Sequence, residues 1–222
     1  EGRAGLAECR RFLKENDRPL VKGCVGLHAS FTVSDELLLE AGQLCREFST
    51  VLHVHLAEGL EDIEDAQHRG WPGPLARLLH FRCLPKGSIL AHGVHLDHEQ
   101  VQRCAERELW LVQNPRSNRA NGVGYPKALG ASSRVALGTD GFPSDMAEEQ
   151  RILLEEAAYV EKTSERVGER LANGWHLIAE RFAGEFGAND AADSLPKGVD
   201  GESIRAEAEE EAQRLWERMS AQ

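Results

Sequence analysis

No stretch of this chain approaches the ~20 consecutive apolar residues that a membrane-spanning helix needs, so a transmembrane helix is excluded. Positive charge is also scarce. The 26 Lys and Arg stand against 37 Asp and Glu, a formal net charge of −11. Such a surface repels phosphate backbones and anionic headgroups, which excludes nucleic acid and membranes as expected partners. Cysteine is sparse and unpatterned. Cys9, Cys24, Cys45, Cys83 and Cys104 are dispersed, with no CxxC among them. An odd, scattered set reads as reduced thiols in a cytoplasmic protein. Cys45 falls on a helical apolar stripe, where cysteine acts as a small hydrophobe. No internal repeat is present. The sequence opens on Glu1 rather than Met, so its natural start is expected upstream.

What is present suffices for a core. At 222 residues and 41% apolar content, the chain fits one large domain, or one domain with an appendage. Strand-like runs near 23–27, 51–56, 88–92, 109–113 and 135–139 alternate with helical patterns. A helix is expected over 4–15. A second begins at Ser34 or Asp35 and carries Leu37, Leu38, Ala41, Leu44, Cys45 and Phe48 on one face. The polar segment through Arg69 reads as partly helical, and 75–83 as a short helix. Asp97 with Gln100 makes a capping-box pair for a helix over 98–107. This rhythm predicts βαβ units, hence parallel strands in sequence order with right-handed crossovers. Five such units are too few for an eight-stranded barrel of ~250 residues. After Asp145 two helices are expected, over 147–169 and 171–186. The organisation is therefore 1–186 as a partial α/β barrel, 187–201 as a linker and 202–222 as an acidic C-terminal helix. That last segment carries a narrow stripe of Ile204, Ala208, Ala212, Leu215 and Met219.

The stretch "LHVHLAE", 52–58, concentrates the chemical question. Period-two alternation puts His53 and His55 on one strand face. Buried imidazoles need a partner, either a ligand or an ordinary hydrogen-bond network. Taken singly, each polar motif has a bland reading: a core histidine, an Asp-Gly turn in "GTDG", a plain loop in "QNPRSNRANG". Their shared location changes the weight. His28 follows the first strand, and His55 and Glu58 close the second. His92 ends the third, Asn114 to Asn118 follow the fourth, and Asp140 ends the fifth. The carboxyl edge of a parallel sheet is where ligands bind. Imidazole with carboxylate suits a divalent metal such as Zn²⁺ or Fe²⁺.

"GLHASFTVSDE", "HVHLAE", "AHGVHL", "QNPRSNRANGVG" and "LGTDGFPSDM", in this order and spacing, resemble the metal-dependent amidohydrolase superfamily. The closest branch is the aminohydrolase/chlorohydrolase group, SsnA-like and related to cytosine and guanine deaminases. The likeness is strong over about 20–146, and "IRAEAEEEAQRLWERM" is similar to the family's final helix. The resemblance implies a (β/α)8 TIM-type barrel, of which this chain holds about strands four to eight, without the family's β-sandwich. It implies a metal-dependent hydrolase of carbon–nitrogen (non-peptide) or carbon–halogen bonds, most often a deaminase of a heterocyclic small molecule. It also implies roles. His55 and Asp140 would bind the metal, with Zn expected and Fe or Mn as alternatives. Glu58, His92 and Asp140 would be catalytic. His28 and Asn118 would contact substrate, and His53 would fill an interior layer of the barrel.

The departures from that pattern carry their own expectations. The family's strand-one His-x-His pair, which supplies two of four protein ligands, has no counterpart; the single His-x-His here is His53–His55. Where the family reads His-Asn-Pro, this chain has Gln113. Two further readings thus stand beside the enzyme: a non-catalytic binding or regulatory module, and an incomplete fragment that is inert alone. Two open sheet edges make a homo-oligomer an expected association.

Overall fold

The computed structural model describes residues 2–19, 21–161 and 165–182, together with positions 206, 210, 213 and 214. The chain divides into two compact units, Glu1–Glu185 and Phe186–Gln222. In the second unit the described positions are helical, and Arg214 pairs with Glu210 one turn earlier at 2.5 Å. The 187–201 linker lies outside the described residues, as does most of the expected helix over 202–222.

The first unit is a five-stranded sheet in the order β1-β2-β3-β4-β5, parallel throughout. The strands are β1 (Val25–Ala29), β2 (Leu52–Leu56), β3 (Ile89–His92), β4 (Trp110–Gln113) and β5 (Val135–Leu137). Both the order and the direction follow the sequence expectation. Helices occupy the connections: α1 (Gly2–Glu15), α2 (Asp35–Glu47), α3 (Leu60–His68), α4 (Pro74–His80), α5 (His98–Glu106) and α6 (Pro115–Ala120). Two more follow β5, α7 (Met146–Val160) and α8 (Glu165–Arg181).

Local chemistry explains the boundaries. The Ser34 hydroxyl accepts from the Leu37 N–H and opens α2. Asp97 and Gln100 form the reciprocal pair expected of them, at 2.8 and 3.0 Å, and open α5. Asp145 caps α7 through the Glu148 N–H. Two readings gain definition and one expectation needs correction. The segment 60–68 is fully helical, with Asp62 and Ala66 buried on its inner side. The 115–120 stretch is a helix rather than a plain loop, because Pro115 at its first position presets the backbone. The break between the last two helices falls after Val160, not near 170, and Gly168 lies inside α8.

Register decides what each sheet face does. Val25, Leu52, Val54, Leu90, Leu111 and Val135 share one face and pack with Leu38, Ala41, Leu44, Leu78 and Val101 from the helices. Gly26, His53, Ile89 and Trp110 align across the opposite face, followed by His55, Ala91, Val112 and Ala136. The helical layer thus covers one side, and the histidines belong to the other.

Helix α8 closes the β5 edge. Its Asn173 amide donates to the carbonyls of Ser133 and Val135, at 3.1 and 2.9 Å. Glu180 receives Arg134 and the Trp110 indole N–H. Arg181 reaches the Gly23 carbonyl at 2.7 Å and the Thr50 hydroxyl at 3.1 Å, both just before β1 and β2. α8 therefore ties the last strand to the amino ends of the first two. Among the described residues, no helix is long and apolar enough to cross a membrane.

Candidate metal centre

The residues that converge are placed by strand ends with unusual backbone. β2 ends at Leu56, and Ala57 adopts φ 50°, which leads into Glu58. β3 ends on His92 at φ 73°, and Asp140 follows β5 at φ 50°. A left-handed conformation costs a residue with a Cβ roughly 1–2 kcal/mol, and strain of this kind gathers at functional sites. For His92 it has a clear consequence. Strand alternation would assign it to the Leu90 face, against the helices. Instead its imidazole lies beside the side chains of Glu58 and Asp140.

One ligand-type atom from each of Glu58, His92 and Asp140 lies within 4.8 Å of the others. His92 Nε2 is 3.6 Å from Glu58 Oε2 and 3.7 Å from Asp140 Oδ2. The ring is wholly buried, and its Nδ1 sits 2.8 Å from Asn118 Oδ1. An amide oxygen only accepts, so Nδ1 carries the proton and Nε2 keeps its lone pair. The Asn114 amide nitrogen lies almost equally far from both ring nitrogens, 3.5 and 3.4 Å, so it faces the edge between them rather than either lone pair. Two carboxylates and one imidazole nitrogen therefore point together, and that donor set suits Zn²⁺, Fe²⁺ or Mn²⁺. The residues present fit a divalent ion.

Helix α6 supports all three from one side. Ser117 donates to Asp140 Oδ2 at 2.5 Å. Asn118 holds His92. Asn121, the residue that caps α6, donates to Glu58 Oε1 at 3.2 Å. Burial pushes the Asp140 carboxyl up, but the Ser117 hydroxyl and the nearby His92 and His55 outweigh it and hold the group below its ordinary value. Gly138 allows this closeness, since a Cβ there would meet Asn114 Oδ1 at 2.5 Å and Val112 Cγ1 at 2.7 Å.

The other expected residues fall around this cluster. The His55 Nδ1 donates to the His28 carbonyl at 2.7 Å, and its ring centre is 5.2 Å from that of His92. It stands beside the three-atom group. His28 contacts Thr32 Oγ1 at 3.1 Å and lines a cavity of about 220 Å³ with His55, Glu58 and Asp62. Asn118 is buried against His92 rather than open to that cavity. His53 lies on the same face as His55, one layer lower; burial first, then His55 and His92, lower its pKa. Gln113 belongs to the outer face, where its Oε1 accepts from the buried Arg170 at 2.5 Å. Arg170 also pairs with Glu161 at 2.9 Å. The glutamine thus serves α8, not the cluster.

Asn121 is absent from the residues singled out by sequence, and Ser117 entered only within the stretch Asn114 to Asn118. The signal was available: after Pro115, positions 117, 118 and 121 share one helical face.

A family model described as "Amidohydrolase family" matches residues 1–173. The chain belongs to the amidohydrolase family. A 5-methylthioadenosine/S-adenosylhomocysteine deaminase of Thermococcus sibiricus is 32% identical to this amidohydrolase chain over 149 residues, which cover 64% of this chain and 35% of the relative. A zinc-bound adenosine deaminase from Xanthomonas campestris superposes with a TM-score of 0.63 at 25% identity, covering 70% of this chain and 37% of its own. Guanine deaminase from C. acetobutylicum, with guanine in its active site, gives a TM-score of 0.70 at 17% identity, over 80% and 48% of the two chains. That last likeness is one of fold. The amidohydrolase chain spans about a third of the length of the curated relatives it matches.

Proposed function

We propose that Glu58, His92 and Asp140 hold a divalent ion, zinc before iron or manganese, as part of a hydrolytic centre for heterocyclic small molecules. The bond cleaved is carbon–nitrogen, as in a deaminase, or carbon–halogen. The observation that carries this reading is the convergence of three donor atoms within 4.8 Å. When bound, such an ion acts as a Lewis acid and makes hydroxide available near neutral pH. The chain's own groups do the rest. Glu58 lines the cavity and, once another ligand frees it from the ion, can move a proton to a ring nitrogen or leaving group. Asp140, held ionised, can accept a proton from water. His28 meets the substrate at the rim, and Asn118 fixes the imidazole of His92. We also place the protein in the cytoplasm, given five free cysteines. The β1 edge, which pairs with β2 alone among the described residues, makes a homo-oligomer part of the same reading.

Ligand count sets what the 222-residue chain does by itself. A catalytic zinc normally has three protein ligands and an open position. If Glu58 and His92 serve as ligands, they are no longer free to move protons. The chain alone is therefore expected to release no ammonia. Adding a segment with the family's His-x-His pair should free both groups and restore turnover. The check is metal analysis after dialysis with an ammonia-release assay over adenosine-type, guanine, pyrimidine and triazine substrates. Stoichiometric metal with strong ammonia release from this chain alone would overturn the ligand assignment. A non-catalytic binding module is the second reading, and the same commitment of Glu58 and His92 to an ion favours it.

His92→Ala tests the centre directly. It removes the only nitrogen donor of the group, so Co²⁺ affinity should fall by more than the roughly 10–100-fold that loss of an outer-shell partner costs. A Co²⁺ titration followed by visible absorbance checks this. Equal affinity in the variant would place the ion elsewhere.

A further inference from the structure

The three members of the cluster are not held equally well. His92 is wholly buried and fixed through Nδ1. Asp140 has a short bond from Ser117. Glu58 follows a left-handed residue at a strand end, and 29% of its side chain is exposed. A carboxylate in that position rotates among orientations unless something selects one. Among the described residues, Asn121 is the one side chain that donates to it, through Nδ2 to Oε1 at 3.2 Å. The same nitrogen lies 3.4 Å from Ser117 Oγ, whose proton goes to Asp140 Oδ2. One amide thus bridges the supports of both carboxylates.

We infer that Asn121 is a positioning residue: it anchors Glu58 Oε1 so that Oε2 alone is presented to His92 and Asp140. This rests on the proposed metal centre and goes beyond it, because it assigns the geometry of that centre to a residue outside it. Two carboxylates brought within 4.8 Å repel each other. Without an anchor, Glu58 turns outward toward solvent, and the group loses a ligand. The amide supplies that anchor through its dipole, without adding net charge at the centre.

The test uses the full chain and Co²⁺ as the probe. Asn121 is exposed, so Asn121→Leu keeps its bulk and removes both donors without opening the core. Its Co²⁺ affinity should fall about 10-fold, as expected for an outer-shell partner. Its visible absorption band should also change shape, since one oxygen ligand is lost or rearranged. Asn121→Gln keeps the donors on a longer stem and should recover part of the affinity and the band. A merely structural role would lower thermal stability and leave the band unchanged. If wild type and Asn121→Leu show the same affinity and spectrum, the positioning role is overturned while the metal centre stands. If wild type itself binds no Co²⁺, the metal centre fails, and this inference falls with it.

Discussion

Arg77→Ala is expected to cost about 3–5 kcal/mol of folding stability. The guanidinium is completely buried. It donates to the Ser30 carbonyl and hydroxyl, to the Val33 carbonyl at 2.9 Å, and to Asp35 Oδ1 at 2.6 Å. The salt bridge is the lesser part, since 45% of the Asp35 side chain is exposed and water screens it. The carbonyls matter more. Without Arg77, the buried carbonyl of Ser30 loses its bond, and each such orphan costs roughly 1–3 kcal/mol. A cavity the size of an arginine adds to this. Arg77→Met, which refills part of the volume, should recover only a minor share. Urea unfolding of the three proteins measures the effect. A loss below about 1 kcal/mol with an unchanged slope would show that the segment after β1 repacks. The site would feel the loss too, because the same segment carries Thr32, which contacts His28.

Asp62 should make wild-type stability fall as pH rises from about 4 to about 6. Its side chain is buried on α3, and burial pushes its carboxyl up to about 6, against the pull of the Ala57 and Phe31 N–H groups. The folded state therefore holds the proton more tightly than the unfolded chain, whose ordinary value is 3.8. Below the lower value both states are protonated, and the group costs nothing. Above the higher value both are charged, and the penalty is complete, at about 3 kcal/mol. Asp62→Asn keeps an acceptor for the Ala57 N–H, which Asp62 Oδ2 receives at 2.7 Å, and has no charge to bury. Stability of the variant minus that of wild type should grow by up to about 3 kcal/mol between pH values near 4 and near 7. Denaturant midpoints at the two ends suffice, because the other titrating groups cancel in the difference. A gap that stays flat with pH would mean that folding leaves the proton affinity of Asp62 unchanged, and one that shrinks as pH rises would mean that Asp62 is stabilised when ionised.

The parts of this structure that were legible in the sequence are those written in periodicity and caps. Strand order followed from the alternation of short apolar runs with helical stripes. Ser34 and Asp97 marked their helices because a side-chain oxygen before an apolar stripe has one good use. The strand-end rule brought Glu58, His92 and Asp140 to one edge, as the resemblance also implied. What stayed hidden was set by single dihedral angles and by partners distant in sequence. Period two places His92 with Leu90; a φ of 73° moves it. Asn118 reads as a substrate contact in the sequence, and its hold on His92, 2.8 Å away, is visible only in the structure. Nothing around Arg77 marks it as the buried hub of a segment more than forty residues earlier. Gln113 looked like a change in the site, but its partner, Arg170, lies 57 positions away.

The Asn173 amide gives the sheet a polarity of association. Were both rims bare, β5 of one molecule could receive β1 of the next, always in the same sense, and the contact would repeat without end. With the Ser133 and Val135 carbonyls already taken, that head-to-tail route loses its acceptors. Among the described residues β1 pairs with β2 alone, so its rim keeps backbone groups for a further strand. Were that strand the β1 of a second copy, the two rims would meet about a two-fold axis, antiparallel, and the contact would use itself up at two molecules. A helix that lies along one side of the sheet thus removes the surface on which a fibre would grow.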